Sequence, residues 1–156
     1  MKVALRHNTG VGLAAPQIGI SKQLLLLEIP EGIPNVSPIP LTAVFNPRLE
    51  FLLKHETILM WESCLSVPSL VGKVPRYNNV ILHYLDESGK PMRIAANGYC
   101  AGVIQHEADH LSGMLFLDRL KSTKDLGYNE EWTEHMAEDN GICWKGSAKF
   151  FEGAAF

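Results

Sequence analysis

The chain has 156 residues, 46% of them hydrophobic, which is enough for one domain with its own core and too little for two. Its 14 basic and 17 acidic residues leave a formal charge of -3, which argues against the basic surface that nucleic-acid binding through phosphates requires. Three cysteines, Cys64, Cys100 and Cys143, are odd in number and irregularly spaced, so a disulfide framework is disfavoured and reduced thiols or a metal ligand are expected.

Met1 to Asn8 reads as the end of a helix, stopped at Gly10, where a residue without a Cβ can turn left-handed. This start has no apolar h-region, and the longest aliphatic run, Leu24 to Leu27, is far too short to cross a bilayer. A soluble, non-secreted protein with no membrane partner is expected. Gln23 to Ile29 reads as a buried strand, and Pro30 to Pro40 as an irregular connector. Asn46-Pro47 is a turn signal separating two short strand candidates, Leu41 to Phe45 and Leu49 to Leu53. Val80 to Leu85 and Met92 to Ala95 flank Asp86-Glu87-Ser88-Gly89 and form the clearest antiparallel hairpin. From Tyr99 to Leu115 the period becomes helical, with Val103, Ile104, Ala108, Leu111 and Leu115 at three-to-four-residue intervals. Strands first and a helix second indicate an α+β domain. Asn129 to Glu138 suits a short charged helix, and residues 121–156 read as a peripheral extension beyond a domain of residues 1–120.

The strongest chemical signal is His106-Glu107-Ala108-Asp109-His110, an HExxH pattern. Four residues make just over one helical turn, so both imidazoles lie on one face and can meet one cation. Glu107 flanks that face, where its carboxylate can take a proton from an activated water without binding the metal. A polar surface stripe has the same spacing, so the pattern needs support from elsewhere. A catalytic centre of this kind has three protein ligands and an open position. The third His of metzincin proteases is missing, since Phe116 stands six residues after His110. Thermolysin-like proteases use a later glutamate, for which Glu130, Glu131 and Glu134 are the candidates. Cys100, six residues before His106, points away from the His106/His110 face and reads as a small buried hydrophobe, and Cys143 has no partner pattern. Cys64, in Glu62-Ser63-Cys64-Leu65-Ser66, follows a strand-like stretch from which a ligand can approach the helix across a groove. Gly10-Val11-Gly12-Leu13-Ala14-Ala15-Pro16-Gln17 is a glycine-rich segment that, taken alone, reads first as a tight turn, although glycines also let backbone approach another chain.

Taken together, Gly10 to Gln17, Glu62 to Ser66 and His106 to His110 resemble, in order and approximate spacing, the GxGLAAxQ, EGCLS and HExxH segments of the peptide deformylase family. The similarity runs from about Gly10 to Leu120. It implies an α+β fold with small antiparallel sheets packed around a central HExxH-bearing helix. It also implies one divalent metal ion held by Cys64, His106 and His110, with Fe²⁺ as the working ion and Zn²⁺, Ni²⁺ or Co²⁺ as substitutes in purified protein. Glu107 is then the acid/base group, with Gln17 and the backbone N–H of Leu65 as oxyanion donors. Substrate would lie along Val11 and Gly12, with Val103 and Val11 lining a side-chain pocket, and Glu62 and Arg76 would form a charge pair that steadies the cysteine segment. The implied activity is removal of the N-formyl group from N-formylmethionyl peptides, with nascent polypeptides and transiently the ribosome as partners. The setting would be bacterial cytoplasm or an organellar matrix.

Three departures mark the chain. Ser63 replaces the glycine beside the metal cysteine, only nine residues precede Gly10, as in a fragment or a short form, and a long tail follows Leu120. Two other readings compete: an HExxH zinc endopeptidase, and a catalytically weakened homologue that binds formyl-peptides without turnover.

Overall fold

In the computed structural model, residues 1–7 and 10–132 are described. Helix α1 (Lys2–His7) is followed by the short strand β1 (Gly12–Ala14), a single 3-10 turn (Ala15–Ile18) and strand β2 (Leu24–Ile29). Two long strands come next, β3 (Ile39–Cys64) and β4 (Val67–Leu85), then β5 (Pro91–Asn97) and helix α2 (Gly98–His110). The 3-10 turns Phe116–Arg119 and Thr123–Asp125, strand β6 (Leu126–Tyr128) and one helical turn, Asn129–Glu131, complete the described chain. The sheet is antiparallel with neighbours in the order β1-β2-β3-β4-β5, and β6 adds to β4 through Leu70 to Gly72. The expected α+β class is what forms. No helix among the described residues is long and apolar enough to cross a membrane.

The unbroken apolar run of β2 is explained by burial on both faces. Leu25, Leu27 and Ile29 point into the main core with Val44, Val80, Leu82 and, from α2, Ala101, Val103 and Ile104. Leu26 points the other way, onto Leu5 of α1 and Leu13 of β1. Full burial of each such side chain contributes about 1.5–3 kcal/mol, so β2 clamps α2 on one side and α1 on the other. A second cluster, Cys64, Val67, Val74 and Phe116, lies under the tip of the β3/β4 hairpin.

Two expectations are corrected. Asn46-Pro47 does not end a strand, because β3 runs straight through it. Phe45 pairs with Leu85 and Arg48 with His83, so one extra residue is absorbed as a bulge. Asn46 takes φ 50°, a left-handed value asparagine tolerates, and the bulge accommodates Pro47, which has no N–H for the ladder. The main helix stops at His110 and does not reach Leu115. Leu111, Ser112 and Gly113 donate their N–H groups three residues back, to Ala108, Asp109 and His110, and Gly113 turns left-handed at φ 73°. The hairpin expected over Asp86 to Gly89 forms, with Asp86 Oδ1 accepting from the N–H groups of Ser88 and Lys90. Of the charged helix expected over Asn129 to Glu138, only the turn Asn129–Glu131 is described. Residues 133–138 of that segment, Glu134 among them, and Cys143 lie outside the described residues.

Candidate metal centre

Helix α2 carries His106 and His110 on one face, with ring centroids 4.9 Å apart and their Nε2 atoms at 3.3 Å. The opposing wall is the tip of the β3/β4 hairpin. Cys64 ends β3 and pairs with Val67 across the two-residue turn Leu65–Ser66. This brings Cys64 Sγ to 3.3 Å from His110 Nε2, and the Cys64, His106 and His110 donor atoms all lie within 4.8 Å of one another. Neither Glu130 nor Glu131 joins this group.

The electrostatics suit a cation. Burial alone would push the Cys64 thiol up, but the two imidazoles outweigh it and bring it down to about 5. Burial would likewise lower His106, yet its contacts with Cys64 and Glu62 raise it to about 10. The thiol and the imidazole thus favour each other's charged form, and a cation at this site competes with the imidazole proton. His106 Nδ1 sits 2.8 Å from Glu62 Oε2, an arrangement that leaves Nε2 to face the group. One thiolate and two imidazoles are a borderline-soft donor set that suits Zn²⁺, Fe²⁺, Co²⁺ or Ni²⁺ and not Mg²⁺ or Ca²⁺.

Glu107, between the two histidines, is 5% exposed, and its Oε2 is buried without a protein partner. Burial raises its carboxyl to about 7, against the opposing pull of His106 and His110. An orphaned buried carboxylate oxygen beside three converging donors fits a site that takes a water and a cation. Gly12 makes room for it. A Cβ on Gly12 would lie 2.4 Å from Glu107 Oε1 and 2.5 Å from its Cδ and Cγ, so only glycine lets β1 pass this close.

Gln17 reaches the site from the 3-10 turn after β1. Its Oε1 accepts from the Ala14 N–H at 2.7 Å, which aims the amide NH₂ at Cys64 Sγ (3.7 Å) and Ser66 Oγ (3.2 Å). Leu65 occupies the hairpin turn beside them, and its side chain is exposed. Val103 lies in the main core, and Val11 packs against the same cluster. Cys100 is also in that core, its Sγ donating to Ser37 O at 3.3 Å, away from the centre.

Glu62 and Arg76 form the expected charge pair, and the pair extends to Asp109. Arg76, 2% exposed, donates Nε and Nη2 to the two oxygens of Glu62 at 2.6 and 2.8 Å, and Nη1 to Asp109 Oδ2 at 2.6 Å. Burial would raise Glu62, but Arg76 and His106 bring it down to about 2. Asp109 and Ser66 lie inside the motifs, yet the spacing of the motifs gives them no role. Their part appears only once the hairpin is folded against α2.

Comparison with known proteins decides the family. The model of the polypeptide deformylase family matches residues 1–126. The chain belongs to that family. Among its deformylase relatives, the peptide deformylase of Leptospira biflexa is 43% identical over 130 residues, covering 81% of this chain and 72% of that one. The structure of the Ehrlichia chaffeensis peptide deformylase superposes with a TM-score of 0.72 at 32% identity, covering 80% of this chain and 73% of that one. A class I type b deformylase from Acinetobacter baumannii with Met-Ala-Ser bound gives 0.69 at 35% identity, covering 77% and 76%.

Proposed function

We propose that this deformylase-family hydrolase removes the formyl group from N-formylmethionyl peptides with a divalent cation held by Cys64, His106 and His110. The observation that carries the reading is the convergence of those three donors beside the buried, unpartnered carboxylate of Glu107. A cation bound there supplies Lewis-acid activation of water and of the formyl oxygen. The remaining steps belong to side chains. Glu107 takes a proton from the attacking water as its oxygen adds to the formyl carbon. The Gln17 NH₂, aimed by Ala14, and the Leu65 N–H donate to the oxygen on which charge develops. Glu107 then passes the proton to the amine nitrogen as the C–N bond breaks, giving formate and a free amino terminus. A carboxyl near pH 7 is well poised for both transfers. Val11 and Gly12 would run beside the substrate backbone, with Val103 under its first side chain.

On this reading the partners are N-formylated nascent chains, met in a compartment where synthesis starts with formylmethionine, with brief contact to the ribosome. Fe²⁺ is the working ion, with Ni²⁺ and Co²⁺ active and Zn²⁺ slower, although Zn²⁺ outcompetes Fe²⁺ in affinity. The test is formate release from formyl-Met-Ala-Ser by protein reconstituted anaerobically with each ion, beside a casein digestion. Formate without casein cleavage is expected. Casein cleavage without formate would instead establish an endopeptidase, and binding of the formyl-peptide without turnover a weakened homologue.

A further inference from the structure

Beyond α2, Arg119 ends the 3-10 turn Phe116–Arg119 and belongs to none of the three motifs. Its guanidinium grips Asp109 with both arms, Nε to Oδ2 and Nη2 to Oδ1, each at 2.5 Å. Asp109 Oδ2 also accepts from Arg76 Nη1, Arg76 holds both oxygens of Glu62, and Glu62 Oε2 meets His106 Nδ1. Five side chains thus alternate in charge from the half-exposed Arg119 to the metal-facing imidazole. With His106 neutral, as a metal ligand must be, the two carboxylates need two guanidiniums. Arg76 alone cannot neutralise both, and Glu62 and Asp109 are each only 8% exposed, where an uncompensated charge is costly.

We propose that Arg119 is a positioning residue: by neutralising Asp109 it frees Arg76 to hold Glu62, and through Glu62 it sets the orientation of the His106 ring. Among the described residues the side-chain hydrogen bonds of Arg119 go to Asp109 and not to Cys64, His106 or His110. Without it, Asp109 and Glu62 compete for Arg76, and the bond from Glu62 to Nδ1 loosens. The inference rests on the reading of His106 as a metal ligand.

The experiment compares wild type, R119M, R119K, D109N and the double variant D109N/R119M. It measures the Kd for Co²⁺ by chelator competition, and kcat and KM for formyl-Met-Ala-Ser on the Co²⁺-loaded proteins. R119M should weaken Co²⁺ binding about tenfold, the low end for partners of metal ligands, and lower kcat similarly with KM within about twofold. R119K, which restores the charge without the fork, should return to within about threefold of wild type. In the D109N background R119M should change Kd by less than about twofold, because its target is gone. An unchanged Kd in R119M, or the same tenfold change in both backgrounds, overturns the proposal. If D109N does not fold, the R119M and R119K pair decides alone. Wild-type protein that binds Co²⁺ and gives the expected Kd pattern, yet releases no formate, removes the substrate reading and leaves the role of Arg119 standing. Normal formate release with an unchanged Kd in R119M does the reverse.

Discussion

On the proposed mechanism Glu107 faces two demands, since it acts on a water from a buried position and must still ionise near neutrality. Its folded value of about 7 lies above the ordinary 4.5, so the stability it contributes is fully present below pH 4.5 and is lost as pH rises through 7. Ionised at pH 8, it costs the metal-free protein about 3 kcal/mol at most. Glu107→Gln should therefore stabilise metal-free protein at pH 8 by up to that amount and do nothing at pH 4, as read by urea unfolding at the two pH values. The same variant should keep its metal and lose activity by on the order of a hundredfold or more. Wild-type turnover would remove Glu107 from the mechanism, and equal stability changes at both pH values would remove the burial argument. Helical spacing alone puts His106, Glu107 and His110 on one turn, so this much is legible in the sequence. The glycine-rich segment was not legible in the same way. Nothing local says that Gly12 lacks a side chain because Glu107 fills the space, since the two meet only through tertiary packing.

At the level of elements, the Cys64 segment is a strand end followed by a tight turn. Ser63 is the chain's clearest departure within a motif, and it sits in β3 opposite Val71 without the left-handed backbone seen at Asn35, Asn46 and Ser69. An extended position accepts serine without strain, so Ser63→Gly should change kcat/KM by less than about tenfold, about 1.4 kcal/mol. A hundredfold gain measured in the formate assay would mean that the natural residue displaces the turn. The strand and helix ends were less legible than their cores. The Asn46-Pro47 pair carries every local mark of a turn, and only pairing with β4 on either side turns it into a bulge. Gly102, in the middle of α2, is locally unfavourable by about 0.5–1 kcal/mol relative to Ala. Met60 explains it, because its Sδ would lie 2.1 Å from a Cβ at that position. The short strands β1 and β6 have no period to betray them, being three residues each.

For the molecule as a whole, the centre joins two bodies of structure that otherwise meet through packing and the Arg76 network, the β3/β4 hairpin tip and α2. An ion bound only by the folded protein adds stability by mass action, about 4 kcal/mol when its concentration is a thousand times its Kd. Chelation should lower Tm by several degrees in wild type and leave Cys64→Ala unmoved, with metal absent from that variant by elemental analysis. Full occupancy in Cys64→Ala would exclude Cys64 as a ligand. The α+β class was legible from the order of strands and helix. The single sheet, with β6 returning to β4, was not, because it depends on contacts between residues far apart in the chain.

Cys64 and His110 are 46 residues apart, and this separation matters while the chain is being made. At about 5–20 residues per second, a ribosome needs roughly 2 to 9 s after adding Cys64 before it adds His110. Through that interval the thiol has neither imidazole beside it, so it keeps the ordinary, mostly protonated state of a free cysteine. The two imidazoles that pull the thiol down arrive only with α2.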